Sequence, residues 1–295
     1  MIVAFGSINL DLIFAVSRLP APGETVLGPT TRIEPGGKGA NQALAAARDG
    51  ARVVMAGAVG TDSLADAALA LLQAEGVDLT RVRRVPASTG CAAISVDPAG
   101  RNAIVVGSGA NLAATAAQIE DALLTPETTL ILQMEVPAAE TAALIQRAHT
   151  AGSRIVLNLA PAAPLLEDAL RSTDVLVVNE SEAAALAAEL DCPASAPALR
   201  ARLCNGAVVL TRGEAGAEAA DATAAWHQPA VPIQAIDTTA AGDCFVGVLA
   251  HALDQGTPLR DAVTRASRAA AICCTRQGSQ GSIPRAEETD GFTRN

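Results

Sequence analysis

Short runs of β-branched and aliphatic residues alternate along most of the chain with Ala-rich stretches of helical spacing. The apolar runs predict strands over 2–5, 52–58, 129–134, 154–159, 174–178 and 207–211. The periodic stretches predict helices over 40–49, 63–75, 137–151, 165–172 and 180–189, and again over 241–254 and 259–275. Strand-then-helix order repeated this often implies an α/β fold, a doubly wound and mostly parallel sheet with helices on both faces. The run Val175-Leu176-Val177-Val178, apolar at every position, fits a strand covered from both sides.

Two regions break the alternation. Segments 12–16 and 23–33 read as extended, with turn residues at Pro20-Ala21-Pro22-Gly23. Segments 90–96 and 102–106 read as a hairpin around Asp97-Pro98-Ala99-Gly100. Four extended segments without helices to cover them predict a small second sheet, a lid built from about 12–35 and 90–107. Nothing along 1–295 marks a linker or a repeat, so a single α/β domain carrying that lid is expected.

Composition narrows the function. Of 295 residues 50% are hydrophobic and 18% charged, with mean hydropathy +0.30, which excludes a disordered chain. Four Phe, one Trp and no Tyr leave little for stacking nucleobases. The net charge of −10 opposes nucleic acid and anionic membrane surfaces. A small anion such as a nucleotide would need local positive potential. Cys91, Cys192, Cys204, Cys244, Cys273 and Cys274 form no C-x-x-C pair and cluster with none of His149, His227 and His251. Reduced thiols rather than a zinc site are expected. The N-terminal apolar stretch is interrupted by Gly6, Asn9 and Asp11 and lacks a basic start, and no apolar run reaches membrane-spanning length. The expectation is a soluble, cytoplasmic protein with no membrane partner.

Four motifs carry candidate chemistry. Gly36-Gly37-Lys38-Gly39-Ala40-Asn41-Gln42 leads into a helix, and its glycines would let backbone amides approach a ligand; a plain turn before a helix gives the same letters. It is not a Walker A loop, because Gly39 follows Lys38 where Ser or Thr belongs. Asp237-Thr238-Thr239-Ala240-Ala241-Gly242-Asp243 enters a second helix. Its small residues would expose amides suited to charge on a phosphoryl group in flight. Asp243, in the first turn, could take a proton from an attacking hydroxyl or could merely cap the helix. The catalytic role requires its carboxylate to face a cavity with its oxygens unoccupied. Asn179 and Glu182 follow a buried strand on one helical face, fitting either Mg²⁺ held through water or an N-cap with its third-position partner. Thr211-Arg212-Gly213-Glu214-Ala215-Gly216 could hold terminal phosphates or simply end a strand.

In this order, and together with Gly6-Ser7-Ile8-Asn9-Leu10-Asp11, these motifs resemble the PfkB/ribokinase family of carbohydrate kinases over essentially the whole chain. On the sugar side the sequence is most similar to members that phosphorylate ribose. The resemblance implies ATP-dependent phosphorylation of D-ribose at its 5-hydroxyl. Asn9, Asp11, Gly37, Lys38, Asn41 and Glu135 would hold the pentose, Asp243 would be the base, and the Ala240, Ala241, Gly242 and Asp243 amides the anion hole. It further implies nucleotide contacts from Asn179, Thr211, Arg212, Gly213, Gly216, Gly242 and Ser267, and Mg²⁺ organised by Asn179 and Glu182. A K⁺ site would involve Asp237, Thr239, Cys273, Arg276, Gly278 and Ser282, mostly through carbonyls. Such enzymes pair their lids, so a homodimer is expected. Two rivals are a kinase for another small polyol (deoxyribose, fructose, a keto-deoxy acid or a nucleoside) and a non-catalytic sugar-binding protein. A dinucleotide oxidoreductase is disfavoured because G-x-G-x-x-G is missing after the first strand.

Overall fold

The computed structural model describes residues 1–99, 101–203 and 206–292. Cys204 and Gly100, the last position of the expected 97–100 turn, lie outside them. In chain order the strands are β1 (Ile2–Phe5), β2 (Asn9–Ala15), β3 (Thr30–Gly36), β4 (Val53–Gly60), β5 (Asp78–Val85), β6 (Gly90–Val96), β7 (Asn102–Gly107), β8 (Thr129–Leu132), β9 (Arg154–Asn158), β10 (Val175–Asn179), β11 (Ala207–Thr211), β12 (Ala217–Ala220) and β13 (Ala225–Gln228). The helices are α1 (Lys38–Arg48), α2 (Leu64–Ala74), α3 (Ala138–Ala151), α4 (Glu167–Arg171), α5 (Glu180–Leu190), α6 (Ala196–Leu203), α7 (Ala241–Asp254), α8 (Leu259–Cys274) and α9 (Ala286–Gly291).

Nine strands form one sheet in the order β13-β12-β11-β10-β9-β8-β1-β4-β5, parallel from β11 through β5 and antiparallel at β12 and β13. Its central strands are apolar throughout because both faces are covered: all eight positions of β4 and all four of β1 are buried. One core packs α1, α2, α7 and α8 on one face; a second packs α3 to α6 on the other. The edge strand β5 escaped the hydrophobic pattern. Its Asp78, Arg81, Arg83 and Arg84 lie on a sheet edge, where charge is compatible with a strand and discourages further pairing.

The second sheet is the expected lid, in the order β3-β2-β6-β7, with β2 and β6 parallel and the other pairs antiparallel. One expectation shifts: the second segment pairs over Thr30–Gly36, not from residue 23, and residues 23–29 run outside the sheet.

The helix contact that matters most for function is α1 against α7. Gly247 lies one turn beyond Asp243, and a Cβ there would meet the Gln42 carbonyl oxygen at 2.4 Å and the Ala45 side chain at 2.6 Å. The bare glycine lets the two helices close up, bringing Asn41 and Gln42 of α1 against Asp243 of α7.

Candidate active site

A cleft of about 1080 Å³ opens beneath the lid at the carboxyl ends of the parallel strands. Open α/β sheets place ligands there. Of the expected sugar residues, Asn9, Asp11, Gly37, Lys38, Asn41, Glu135 and Asp243 all line it. Ile13, Ala92 and Ile94 of the lid form an apolar wall on the other side.

Asn9 and Glu135 are held by partners distant in sequence. Asn111 Nδ2 donates to Asn9 Oδ1 at 2.7 Å, and Asn111 Oδ1 accepts from the Ile8 amide at 2.9 Å. Glu135 Oε2 accepts from Ser7 Oγ at 2.6 Å and from the Lys38 amide at 3.3 Å. Asn41 Oδ1 is buried without a hydrogen-bond partner among the described residues, so it lacks a donor there. Burial, followed by the charges of Glu135, Asp243 and Glu34, lifts the Asp11 carboxyl to about 7. The Lys38 ammonium is held above the usual lysine range by Asp243, Glu135, Glu182 and Asp11, against the effect of its burial.

The glycines at the start of α1 also serve a purpose that was not expected. A Cβ on Gly37, which has φ +90, would stand 2.7 Å from the Asn9 amide, and one on Gly39 would stand 2.6 Å from the Gly6 carbonyl carbon. They let the turn press against the Gly6–Asp11 segment and so bring Lys38 and Asn41 beside Asn9 and Asp11.

Asp243 is 6% exposed and faces the cleft, but its oxygens differ from expectation. Oδ2 accepts from Asn41 Nδ2 and Oδ1 from Gln42 Nε2, each at 2.9 Å. Two carboxamides therefore occupy one acceptor site on each oxygen; an ionised carboxylate has about four such sites, so roughly two are left. Around it, Ala240 starts α7 in the left-handed region at φ 59, without a side-chain cap. The Ala241 amide makes a long 3.3 Å turn bond to Thr238, while those of Gly242 and Asp243 have no acceptor among the described residues. A Cβ on Gly242 would meet nothing within 4 Å. This is an open cluster of donors at a helix N-terminus, suited to an anion.

Of the remaining expected residues, Asp237, Thr239 and Ala240 also line the cleft, whereas the nucleotide and Mg²⁺ candidates Asn179, Glu182, Thr211, Arg212, Gly213, Gly216 and Ser267 do not. Asn179 and Glu182 form a capping box: Asn179 Oδ1 accepts from the Glu182 amide at 2.9 Å and Glu182 Oε2 from the Asn179 amide at 2.8 Å. Asn179 Oδ1 also takes the Ser181 hydroxyl at 2.7 Å, so that oxygen is committed to the cap. Glu182 keeps Oε1 uncommitted, and its carboxyl is raised, first by burial, with Lys38 and Asp243 close enough to act on it. Thr211 ends β11, its hydroxyl donating at 3.4 Å to Val178. Arg212 is paired with Glu218, and the turn closes through the Gly216 amide to Gly213 at 3.0 Å. The Gly213 amide has no acceptor among the described residues. Ser267 donates to Val263 within α8 at 2.8 Å.

Asp237 joins the two loops of the expected cation site. Its Oδ1 accepts from the Thr239 amide at 2.9 Å and hydroxyl at 2.6 Å, and its Oδ2 from the Gly278 amide at 3.0 Å. Those hydrogen bonds hold its carboxyl below the usual range although burial opposes them. Cys273 Sγ lies 2.9 Å from Ser282 Oγ and 3.7 Å from the Thr239 carbonyl. The Arg276 guanidinium turns outward to Glu288. Gln42, Gln133, Asn111 and Ser7 were given no role from sequence, although Gln42 and Ser7 sit inside motifs that were.

Comparison with known proteins places this geometry. A ribokinase of Schizosaccharomyces pombe is 36% identical over 308 residues, covering 98% of this chain and 96% of its own. The crystal structure of a ribokinase from Thermotoga maritima superposes with TM-score 0.89 at 33% identity, over 98% of this chain and 97% of that one. The structure of Arabidopsis thaliana ribokinase complexed with ribose and ATP superposes with TM-score 0.84 at 26% identity, over 99% of both chains. Residues 1–286 match the model of the pfkB family carbohydrate kinases. With its sheet, lid and motif order alike in agreement, the chain belongs to the pfkB family of carbohydrate kinases, phosphotransferases with an alcohol group as acceptor.

Proposed function

We propose that this enzyme transfers the γ-phosphoryl group of ATP to the 5-hydroxyl of D-ribose, giving ribose 5-phosphate and ADP. The observation that carries the reading is the convergence of Asn9, Asp11, Lys38, Asn41 and Glu135 on the cleft that Asp243 faces at the start of α7. A pentose presents several hydroxyls, each needing a donor or acceptor, and a site built of such groups rejects analogues that leave them unpaired. The unpartnered Asn41 Oδ1 lacks a donor that a sugar hydroxyl would supply.

In the proposed mechanism Asp11, Asn9, Asn41 and Glu135 orient the sugar, and Asp243 receives the proton of the 5-hydroxyl as its oxygen attacks. Asn41 and Gln42 hold the base in place without exhausting its acceptor capacity. The Ala241, Gly242 and Asp243 amides face the charge developing on the transferred group, and Lys38 adds a buried positive charge nearby. Phosphoryl transfer asks chiefly for this alignment and neutralisation.

The chemistry of the donor set fits two cations. Asp11, Glu135 and Asp243 line the cleft and Glu182 lies close enough to Asp243 to act on it, so a nucleotide polyanion requires counter-charge to enter. Glu182 would hold Mg²⁺ through water by its uncommitted oxygen, with Asn179 fixing the helix start; the ion would neutralise the terminal phosphates. Asp237 and the carbonyls of Thr239, Cys273, Arg276, Gly278 and Ser282 would hold K⁺, whose charge would strengthen the adjacent anion hole. The Gly213 amide, with Thr211, Arg212 and Gly216 shaping its turn, and Ser267 on α8 would contact the nucleotide. Ile33, Ile104 and Val105 expose apolar surface on the lid, at 63%, 52% and 73%, which supports a homodimer paired through it. No described helix is long and apolar enough to cross a membrane, and the use of ATP supports a cytoplasmic site of action.

A coupled ADP-release assay with MgATP against ribose, deoxyribose, fructose and inosine, with and without K⁺, tests the proposal. Ribose is expected to give the highest kcat/KM; turnover of another acceptor without turnover of ribose would overturn the assignment. Sugar binding without ADP release would favour the non-catalytic reading.

A further inference from the structure

Two fully buried glutamines stand behind the base, neither of them open to the cleft. Gln133 Nε2 donates to Gln42 Oε1 at 2.8 Å, and Gln42 Nε2 donates to Asp243 Oδ1 at 2.9 Å. The direction of this row is set at its acidic end. An ionised carboxylate only accepts, so Gln42 must turn its amide nitrogen to Asp243. Its oxygen then needs a donor, which Gln133 supplies. The row ends on Gln133 Oε1, buried over Gly6 without a partner among the described residues; a Cβ on Gly6 would stand 1.8 Å away. The register of β1 on β8 pairs Phe5 with Leu132 and so sets Gly6 beside Gln133.

Stability does not explain the arrangement. A buried carbonyl oxygen without a donor is costly, and two apolar side chains of similar size would fill the space without that cost. The row has a use only if it acts on what it touches, which is Asp243. The other groups whose charges reach Asp243 are Asp11 on β2, Lys38 on α1, Glu182 on α5 and the Cys273 thiol on α8. None of them hydrogen-bonds its oxygens; among the described residues only Asn41 and Gln42 do.

We propose that Gln42 and Gln133 are positioning residues for phosphoryl transfer: Gln133 fixes the amide orientation of Gln42, which with Asn41 fixes the rotation of the Asp243 carboxylate so that its remaining lone pairs face the cleft. The proposal deepens the reading above and rests on Asp243 being the base. Gly6 belongs to the same device, since only a residue without a side chain leaves room for Gln133.

Gln133→Met keeps the length and removes the donor. Its kcat is expected to fall roughly 10- to 100-fold, with the ribose KM changed by less than about threefold, as for a displaced catalytic group. Gln133→Glu supplies the conservative rescue. Burial keeps that carboxyl protonated near about pH 6, where its O–H can donate to Gln42, and it ionises toward about pH 9, where it cannot. Relative to wild type, this variant should recover at the lower pH and fail at the higher one, whereas Gln133→Met fails at both. A Gln133→Met enzyme with kcat within about threefold of wild type would overturn the proposal, as would a Gln133→Glu enzyme no better than Gln133→Met at the lower pH. A urea-unfolding cycle of Gln133→Met and Asp243→Asn gives a readout independent of turnover. The two substitutions are expected to be non-additive, because the row couples them; additive effects would overturn the proposal. A wild-type protein inert toward ribose would overturn the functional reading alone, and the unfolding cycle would still decide on the glutamines.

Discussion

The Ser279 amide donates to Glu34 Oε2 at 2.8 Å, joining the lid strand β3 to the loop that follows α8. Gly278 gives the carboxylate its space, since a Cβ there would stand 2.6 Å from the same oxygen. The Gly278 amide in turn donates to Asp237, so a continuous set of hydrogen bonds runs from the lid to the loop entering α7. Removing Glu34 should loosen the lid more than it disturbs the chemistry. Glu34→Ala is expected to raise the ribose KM by roughly tenfold, the equivalent of about 1.5 kcal/mol for a charge-assisted hydrogen bond, with a smaller change in kcat. Steady-state kinetics at saturating MgATP checks this; a pure kcat loss would contradict it.

Asp11 gives a pH signature. With its carboxyl lifted to about 7, the folded protein holds a proton there that the unfolded chain releases at ordinary aspartate values. The corresponding stabilisation is complete at acid pH and is lost as pH rises through about 7. Asp11→Asn should therefore gain in urea midpoint relative to wild type between pH 5 and pH 8. In calorimetric titrations, ribose binding near neutrality should release protons from wild type, because the ionised carboxylate is the better acceptor, and release fewer from the variant. A difference in midpoints that is flat with pH would contradict this.

Gly39 has no room for a side chain. A Cβ would meet only backbone, at 2.6 Å from Gly6 and 2.7 Å from the Ser7 amide, none of it able to swing aside. Gly39→Ala is expected to destabilise the fold by about 1–3 kcal/mol, the usual cost of forced overpacking. Chemical denaturation measures it, and an unchanged midpoint would show that the Gly6–Asp11 segment yields.

Asp237 holds both loops of the proposed monovalent-cation site through three hydrogen bonds. Asp237→Ala should abolish the difference between kcat measured with K⁺ and with a large organic cation, while thermal unfolding stays cooperative. Retained K⁺ activation would place the cation elsewhere.

Most of the fold was legible because the parallel strands are buried on both faces and read as unbroken apolar runs. What the pattern missed is the Arg-rich edge strand β5, the short strands β12 (Ala217–Ala220) and β13 (Ala225–Gln228), too short to show a period, and the short helices α6 and α9. Within the site, residues carried by local motifs were found, and those defined by contact were not. Gln42 and Gln133 are 91 residues apart and Asn9 and Asn111 are 102 apart, so no spacing rule links them. The glycine-rich turn was recognised but its packing against the Gly6–Asp11 segment was not, since close approach to another segment of chain and close approach to a ligand need the same residue. The state of the Asp243 oxygens was equally hidden, because it depends on how α1 crosses α7.

The most direct test compares wild type with Asp243→Asn for kcat and for ribose affinity in the absence of turnover. If Asp243 is the base that receives the proton of the ribose 5-hydroxyl, kcat should fall by roughly 10²–10⁴ while affinity changes by no more than a few fold. Loss of affinity and rate in equal measure, or a kcat close to wild type, would show that the carboxylate is a structural cap and that the proton leaves by another route.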